Sequence, residues 1–126
     1  MKEKICFLID DDEDDREIFQ LAIHRVKDVK CITSHNGKDA IRKLSDEHFN
    51  PDFIFLDLNM PMMNGRECLE EIRKMRHLKK TPVYIYTTSS ADEDKADLLK
   101  LGATGFITKP ASIQMLVEIL TSYIHP

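Results

Sequence analysis

Five short apolar runs, each followed by a stretch of helical spacing, divide this chain from end to end. The runs cover residues 5–9, 29–33, 52–58, 82–87 and 105–108. Behind the first, Ile18, Phe19, Ala22, Ile23 and Val26 recur every three or four positions, which predicts a helix. Behind the second, Asn36 with Asp39 three residues on caps a helix carrying Ala40, Ile41 and Leu44. Asn64 and Glu67 have the form of a capping box ahead of Cys68, Leu69, Ile72 and Met75. Ser90 and Glu93 repeat that form before a fourth helix, which Gly102 ends. A last helix runs over about residues 112–124. The first and third runs are almost continuously apolar, so their strands are covered on both faces. That predicts a parallel sheet with helices on both sides, an α/β doubly wound fold.

A chain of 126 residues makes one domain over 1–126, long enough to bury a core of its own. Its 42% hydrophobic and 32% charged residues fit a folded domain and not a disordered chain. A net charge of −4 argues against a nucleic-acid surface. No apolar stretch is long enough to span a bilayer, and no signal peptide opens the chain. Cys6, Cys31 and Cys68 are odd in number and match no metal spacing, so they read as reduced core thiols of a cytosolic protein.

Ligands of doubly wound sheets bind beyond the carboxyl ends of the strands. The first run delivers Asp10 and Asp11 there, the third Asp57, the fourth Thr87 and the fifth Lys109, followed by Pro110. The acids open an unbroken run, Asp10 to Asp15. Neighbouring like charges cost roughly 4 kcal/mol per pair at 4 Å and an effective dielectric near 20. Either all of them face solvent or some hold a cation. Three carboxylates suit a hard divalent ion such as Mg²⁺, which keeps waters and accepts phosphate oxygens. A carboxylate is also a nucleophile toward phosphorus, and phosphoryl transfer asks little beyond positioning and charge neutralisation. A lysine and a threonine on the same rim supply the remaining donors.

Four segments carry a family likeness: IDDD at 9–12, LDLNMPMMNG at 56–65, YTTSS at 86–90 and TKP at 108–110. Together, in this order, the chain resembles the receiver domain of response regulators in bacterial two-component systems, in the form of the stand-alone chemotaxis receivers. The resemblance implies a flavodoxin-like sheet in the order 2-1-3-4-5. It implies that Asp57 accepts a phosphoryl group from a sensor histidine kinase or a phosphotransfer protein. Mg²⁺ would be held by Asp11 directly, by Asp10 partly through water, by Asp57 and by the backbone carbonyl of Asn59. Thr87 and Lys109 would bind the phosphoryl oxygens. The domain would promote only its own phosphorylation and dephosphorylation, and would not otherwise be an enzyme. Asn59 and Ser89 would flank the path of the attacking water; neither is bulky or cationic, so the phosphoryl group would not be unusually long-lived. Thr87 and Phe106 would be the switch residues, and the Lys109–Pro110 bond would be cis. The signal would pass to a downstream effector or a second copy, through the face made by the fourth helix, the fifth strand and the last helix. A cytoplasmic place is implied, with no nucleic-acid and no membrane partner. With nothing following Pro126, the chain reads as a stand-alone receiver or as a receiver cut from a longer regulator.

Other readings of the acids fit less well. The Asp10/Asp12 pair has the spacing of a haloacid-dehalogenase nucleophile, but Asp14 stands where Thr or Val belongs and no room is left for a cap. As an EF-hand loop, Asp10, Asp12 and Asp14 fit, yet Asp15 replaces the required Gly and Leu21 the bidentate Glu. A receiver fold without phosphorylation is a third reading, and the complete set of five site residues speaks against it. Asp12 to Asp15 belong to the start of the first helix, where the helix dipole favours acids. His24, His35, His48, His77 and His125 form no ligand pattern and read as surface residues. In the last helix, Ile113, Leu116, Val117, Leu120 and Ile124 make one stripe for the sheet. Met115, Ile119 and Tyr123 make a second, for a neighbouring element or for a partner.

Overall fold

The computed structural model describes residues 3–88 and 92–126. Strands β1 (Lys4–Ile9), β2 (Val29–Ser34), β3 (Phe53–Leu56), β4 (Val83–Thr87) and β5 (Gly105–Thr108) alternate with helices α1 (Glu13–Ile23), α2 (Gly37–Leu44), α3 (Gly65–Lys74), α4 (Asp92–Lys100) and α5 (Ile113–Ile124). The strands form one parallel sheet in the order β2-β1-β3-β4-β5, the expected order.

Period-two alternation sorts each strand onto two cores. Phe7, Ile9, Ile54, Leu56, Val83 and Ile85 pack under Leu44 of α2, Leu69 and Ile72 of α3, and Leu98 of α4. Cys6, Leu8, Phe55, Tyr86 and Ile107 face the other way, against Phe19 and Ala22 of α1 and Leu116, Leu120 and Ile124 of α5. Cys6, Phe7, Leu8 and Ile9 are all fully buried, which is why β1 reads as unbroken apolar sequence. Each such large side chain contributes roughly 1.5–3 kcal/mol by leaving water.

Among the described residues, four helices begin on a side-chain cap. Asp12, Asn36, Asn64 and Ser112 accept hydrogen bonds from the backbone N–H of Asp15, Asp39, Glu67 and Met115. At Asn64 the capping box is complete, because the Glu67 side chain accepts from the Asn64 N–H at 3.2 Å. The box expected from Ser90 and Glu93 lies outside the described residues. Gly102, two residues past α4, takes φ +111°, the left-handed geometry expected of a helix stop.

Elements β3 and α3 are shorter than expected. β3 is shorter than 52–58. Asp52 is tied to Ile5 of β1 by its backbone N–H and by its side chain, which accepts from the Ile5 N–H at 2.8 Å, and the strand ends at Leu56, with the Asp57 N–H still held by the Ile9 carbonyl before the chain turns into a loop. Helix α3 stops at Lys74 because Met75 is extended at ψ 119°, and a 3-10 turn, Arg76–Leu78, follows. Among the described residues no helix is long and apolar enough to cross a membrane. All three cysteines are free, with Cys6 and Cys68 in the core. His24, His35 and His48 are exposed as expected. His77 is half-buried with its ring against the Leu44 carbonyl, and His125 half-buried against that of Lys27.

Candidate phosphoryl-acceptor and metal site

The ladder carries each site residue to the rim. The Asp10 N–H donates to the Ser34 carbonyl at 3.1 Å, the Asp57 N–H to Ile9 at 2.9 Å and the Lys109 N–H to Thr87 at 2.9 Å. The backbone of all three is therefore fixed by neighbouring strands. Asp10 and Asp57 are buried and Asp11 is exposed, and one oxygen from each lies within 4.8 Å of the others. Three hard oxygen donors at that spacing, open to water through Asp11, fit a divalent cation of the Mg²⁺ type. Asp11, Asp57, Asn59, Thr88 and Lys109 line one cleft together with the acids of the α1 start.

Lys109 is the counter-charge. Its ammonium donates to Asp10 Oδ2 at 2.8 Å and to Asp15 Oδ2 at 2.7 Å, and stands 3.8 Å from Asp57 Oδ1. Burial alone would favour the neutral amine, but the hydrogen bonds to Asp10 and Asp15 outweigh it and hold the lysine above its ordinary range. At Asp57 burial wins. It pushes the carboxyl up to about 7, against the pull of Lys109 and with the Asp10 charge adding to the rise. The Asn59 backbone N–H favours the charged form.

Thr87 ends β4, 5% exposed, one residue before Thr88 in the cleft. Phe106 does not line the cleft; it is half-buried on β5 against the α2–α3–α4 core, with the Lys95 ammonium 5.6 Å from its ring centroid. Ser89 lies outside the described residues. The cis bond at Pro110 is not found. No peptide bond among the described residues is cis, so Lys109–Pro110 is trans. The Lys109 backbone is already fixed by its bond to Thr87, and its ammonium reaches Asp10 and Asp15 through a trans link, the isomer favoured by about 0.5–1 kcal/mol.

Two participants escaped the sequence reading. In sequence Asp15 reads only as a helix-start acid. Tyr86 had no role, yet it is buried with its ring centroid 5.3 Å from the Lys109 ammonium. The Tyr86 ring meets Phe19 of α1 edge-on at 5.5 Å. Neither contact leaves a local signal, since 94 positions separate Asp15 from Lys109.

Residues 6–121 match the response regulator receiver domain family. The protein PilG of Pseudomonas aeruginosa is 31% identical over 114 residues, covering 89% of this chain and 83% of PilG. A probable C4-dicarboxylate response regulator of Bacillus subtilis, DctR, is 31% identical over 97% of this chain, which spans about half (53%) of DctR. Among solved structures, the phosphorylated cyanobacterial phytochrome response regulator RcpA superposes with a TM-score of 0.86 at 31% identity, covering 96% of this chain and 91% of RcpA. The Mn²⁺-bound form of response regulator Rcp1 does so with a TM-score of 0.82 at 29% identity, covering 94% and 90%. With the sheet order, the strand-end acids and these likenesses in agreement, the chain belongs to the response regulator receiver family, whose members act in two-component signalling by accepting a phosphoryl group on an aspartate.

Proposed function

We propose that Asp57 takes a phosphoryl group from a phosphohistidine of a sensor kinase or phosphotransfer protein, in a Mg²⁺-dependent reaction, and that the change is relayed through the protein surface. One observation carries the reading. A buried carboxylate stands at the end of the central strand, between two further carboxylates within 4.8 Å and an ammonium 3.8 Å away. An Asp57 oxygen attacks phosphorus and the P–N bond breaks. The bonding electrons stay on the imidazole nitrogen, which takes a proton from water. Lys109 and the Thr87 hydroxyl donate to the phosphoryl oxygens. Asp10, Asp11, Asp57 and the Asn59 carbonyl would hold Mg²⁺, which neutralises charge on those oxygens when bound. The Mn²⁺-bound Rcp1 and phosphorylated RcpA structures support both parts of this reading.

Relay would run from Thr87 to Phe106 and the face of α4, β5 and α5, to an effector or a second copy. A differential affinity of about 1–3 kcal/mol between the two states is enough for a switch. Sedimentation with and without a phosphoryl mimic separates the partners: a wild type that is monomeric in both states leaves the effector. We place the domain in the cytoplasm on its likeness to the receiver family, with no membrane partner, and its net charge of −4 argues against a nucleic-acid partner.

Incubation with Mg²⁺ and a small acyl phosphate is the direct test. Intact-mass measurement is expected to show one phosphoryl increment on wild type and none on Asp57→Ala. Asp11→Ala is expected to lose mainly metal affinity by calorimetry. Labelling of Asp57→Ala at the wild-type rate overturns the assignment.

A further inference from the structure

Lys109 has a long, flexible stem, and a free lysine samples many rotamers. Here its side chain is 9% exposed and held from three directions. Asp10 of the sheet rim takes one N–H at 2.8 Å, and Asp15 of the first turn of α1 takes another at 2.7 Å. The Tyr86 ring lies beside the ammonium at 5.3 Å. An ammonium has three N–H donors. With two engaged, the third is left for the side on which Asp57 Oδ1 stands, at 3.8 Å.

Asp15 is itself fixed. Its backbone N–H is capped by Asp12 Oδ1 at 3.1 Å. Helix α1 is seated on the sheet through Phe19, which is fully buried and meets Tyr86 at 5.5 Å. The Asp15 carboxylate is thus delivered by a rigid element, not by a loop.

We infer that Asp15 is a positioning residue, the α1 anchor that keeps the Lys109 ammonium aimed at the phosphoryl group on Asp57. The inference rests on the phosphoryl reading of Asp57 given above. Asp15 touches neither donor nor acceptor; it acts through Lys109. A misaimed charge in such a site costs up to about a hundredfold in rate.

Wild type, Asp15→Asn and Asp15→Glu, each with Mg²⁺, are compared for initial phosphorylation rate across a range of acyl phosphate concentrations. The ¹⁵N–¹H signal of the Lys109 ammonium is followed in parallel. Asp15→Asn is expected to lose about tenfold in maximum rate with KM within about twofold, and to lose the ordered ammonium signal. Asp15→Glu, which restores the anion, is expected to recover most of both. An Asp15→Asn protein as fast as wild type or faster, or one that keeps the ammonium signal, overturns the inference, as does an equal loss in Asp15→Glu. A wild type that takes no phosphoryl group overturns the reading of Asp57 itself, which separates the two failures.

Discussion

A carboxyl group taken out of water favours its proton, and Asp57 shows the effect at the centre of its own chemistry. Its native pKa of about 7 stands above the ordinary carboxyl value of 3.8. Between those values the folded protein binds a proton that the unfolded chain releases. The stability Asp57 contributes is therefore fully present below about pH 4 and is lost as pH rises through 7. In metal-free buffer, Asp57→Asn is expected to be more stable than wild type at pH 8, by about 2–4 kcal/mol, with the gap closing toward pH 4. Urea unfolding at pH 8, 6 and 4.5 measures it. A gap that is absent at pH 8, or that widens in acid, contradicts the assignment. The same cost is what a divalent cation beside Asp57 would offset, so adding Mg²⁺ at pH 8 should narrow the gap. Cys68, likewise buried, is pushed up to about 12 and has no thiolate to offer near neutral pH.

At the scale of elements, the start of α3 shows how local sequence shapes the acceptor loop. A Cβ built on Gly65 would stand 2.5 Å from the Asp57 carbonyl oxygen and 2.7 Å from the Leu58 Cα. The helix start therefore rests directly on the loop backbone, and only glycine allows the approach. Gly65→Ala is expected to destabilise by about 1–3 kcal/mol through overpacking and to weaken Mg²⁺ binding in calorimetry, because the loop that carries Asp57 and Asn59 must move. Asn64→Ala removes the cap of the same helix at a cost of about 1 kcal/mol, with Mg²⁺ affinity unchanged. Equal metal affinity in Gly65→Ala and wild type would show that the loop is not braced by α3. Much of this was legible in sequence: strand ends carry their residues by position, and the Asn64–Glu67 box is local. What was not legible is what depends on contacts across the chain. The late start of β3 goes with the Asp52 carboxylate bonding Ile5, 47 positions away. The Lys109 anchors on α1 and β4 have the same long-range origin.

At the scale of the molecule, the two faces of the sheet are unequal in their aromatic content, and this decides what α5 has left to offer. Phe55, Tyr84 and Tyr123 meet in series, Phe55 stacked on Tyr84 at 5.8 Å and Tyr84 tilted against Tyr123 at 4.7 Å. Tyr123 and Ile119 are half-buried against the α1–α5 core, whereas Met115 is 50% exposed. The second stripe of α5 is thus divided. Its C-terminal part belongs to the fold, and its N-terminal methionine remains open to a partner. Tyr84 of β4 is the ring that receives Tyr123. Tyr123→Ala is expected to lower stability by about 1–3 kcal/mol, since a ring contact and half-buried apolar area go together. Met115→Glu is expected to stay within about 0.5 kcal/mol of wild type, as exposed sites do. Met115→Glu alone is then the variant that tests association without disturbing the fold, whereas a double change with Ile119→Glu would mix the two. Thermal and urea unfolding of the single variants decides the division. If Met115→Glu loses as much stability as Tyr123→Ala, Met115 is also part of the core, and any partner must read the face of α4 and β5 without it.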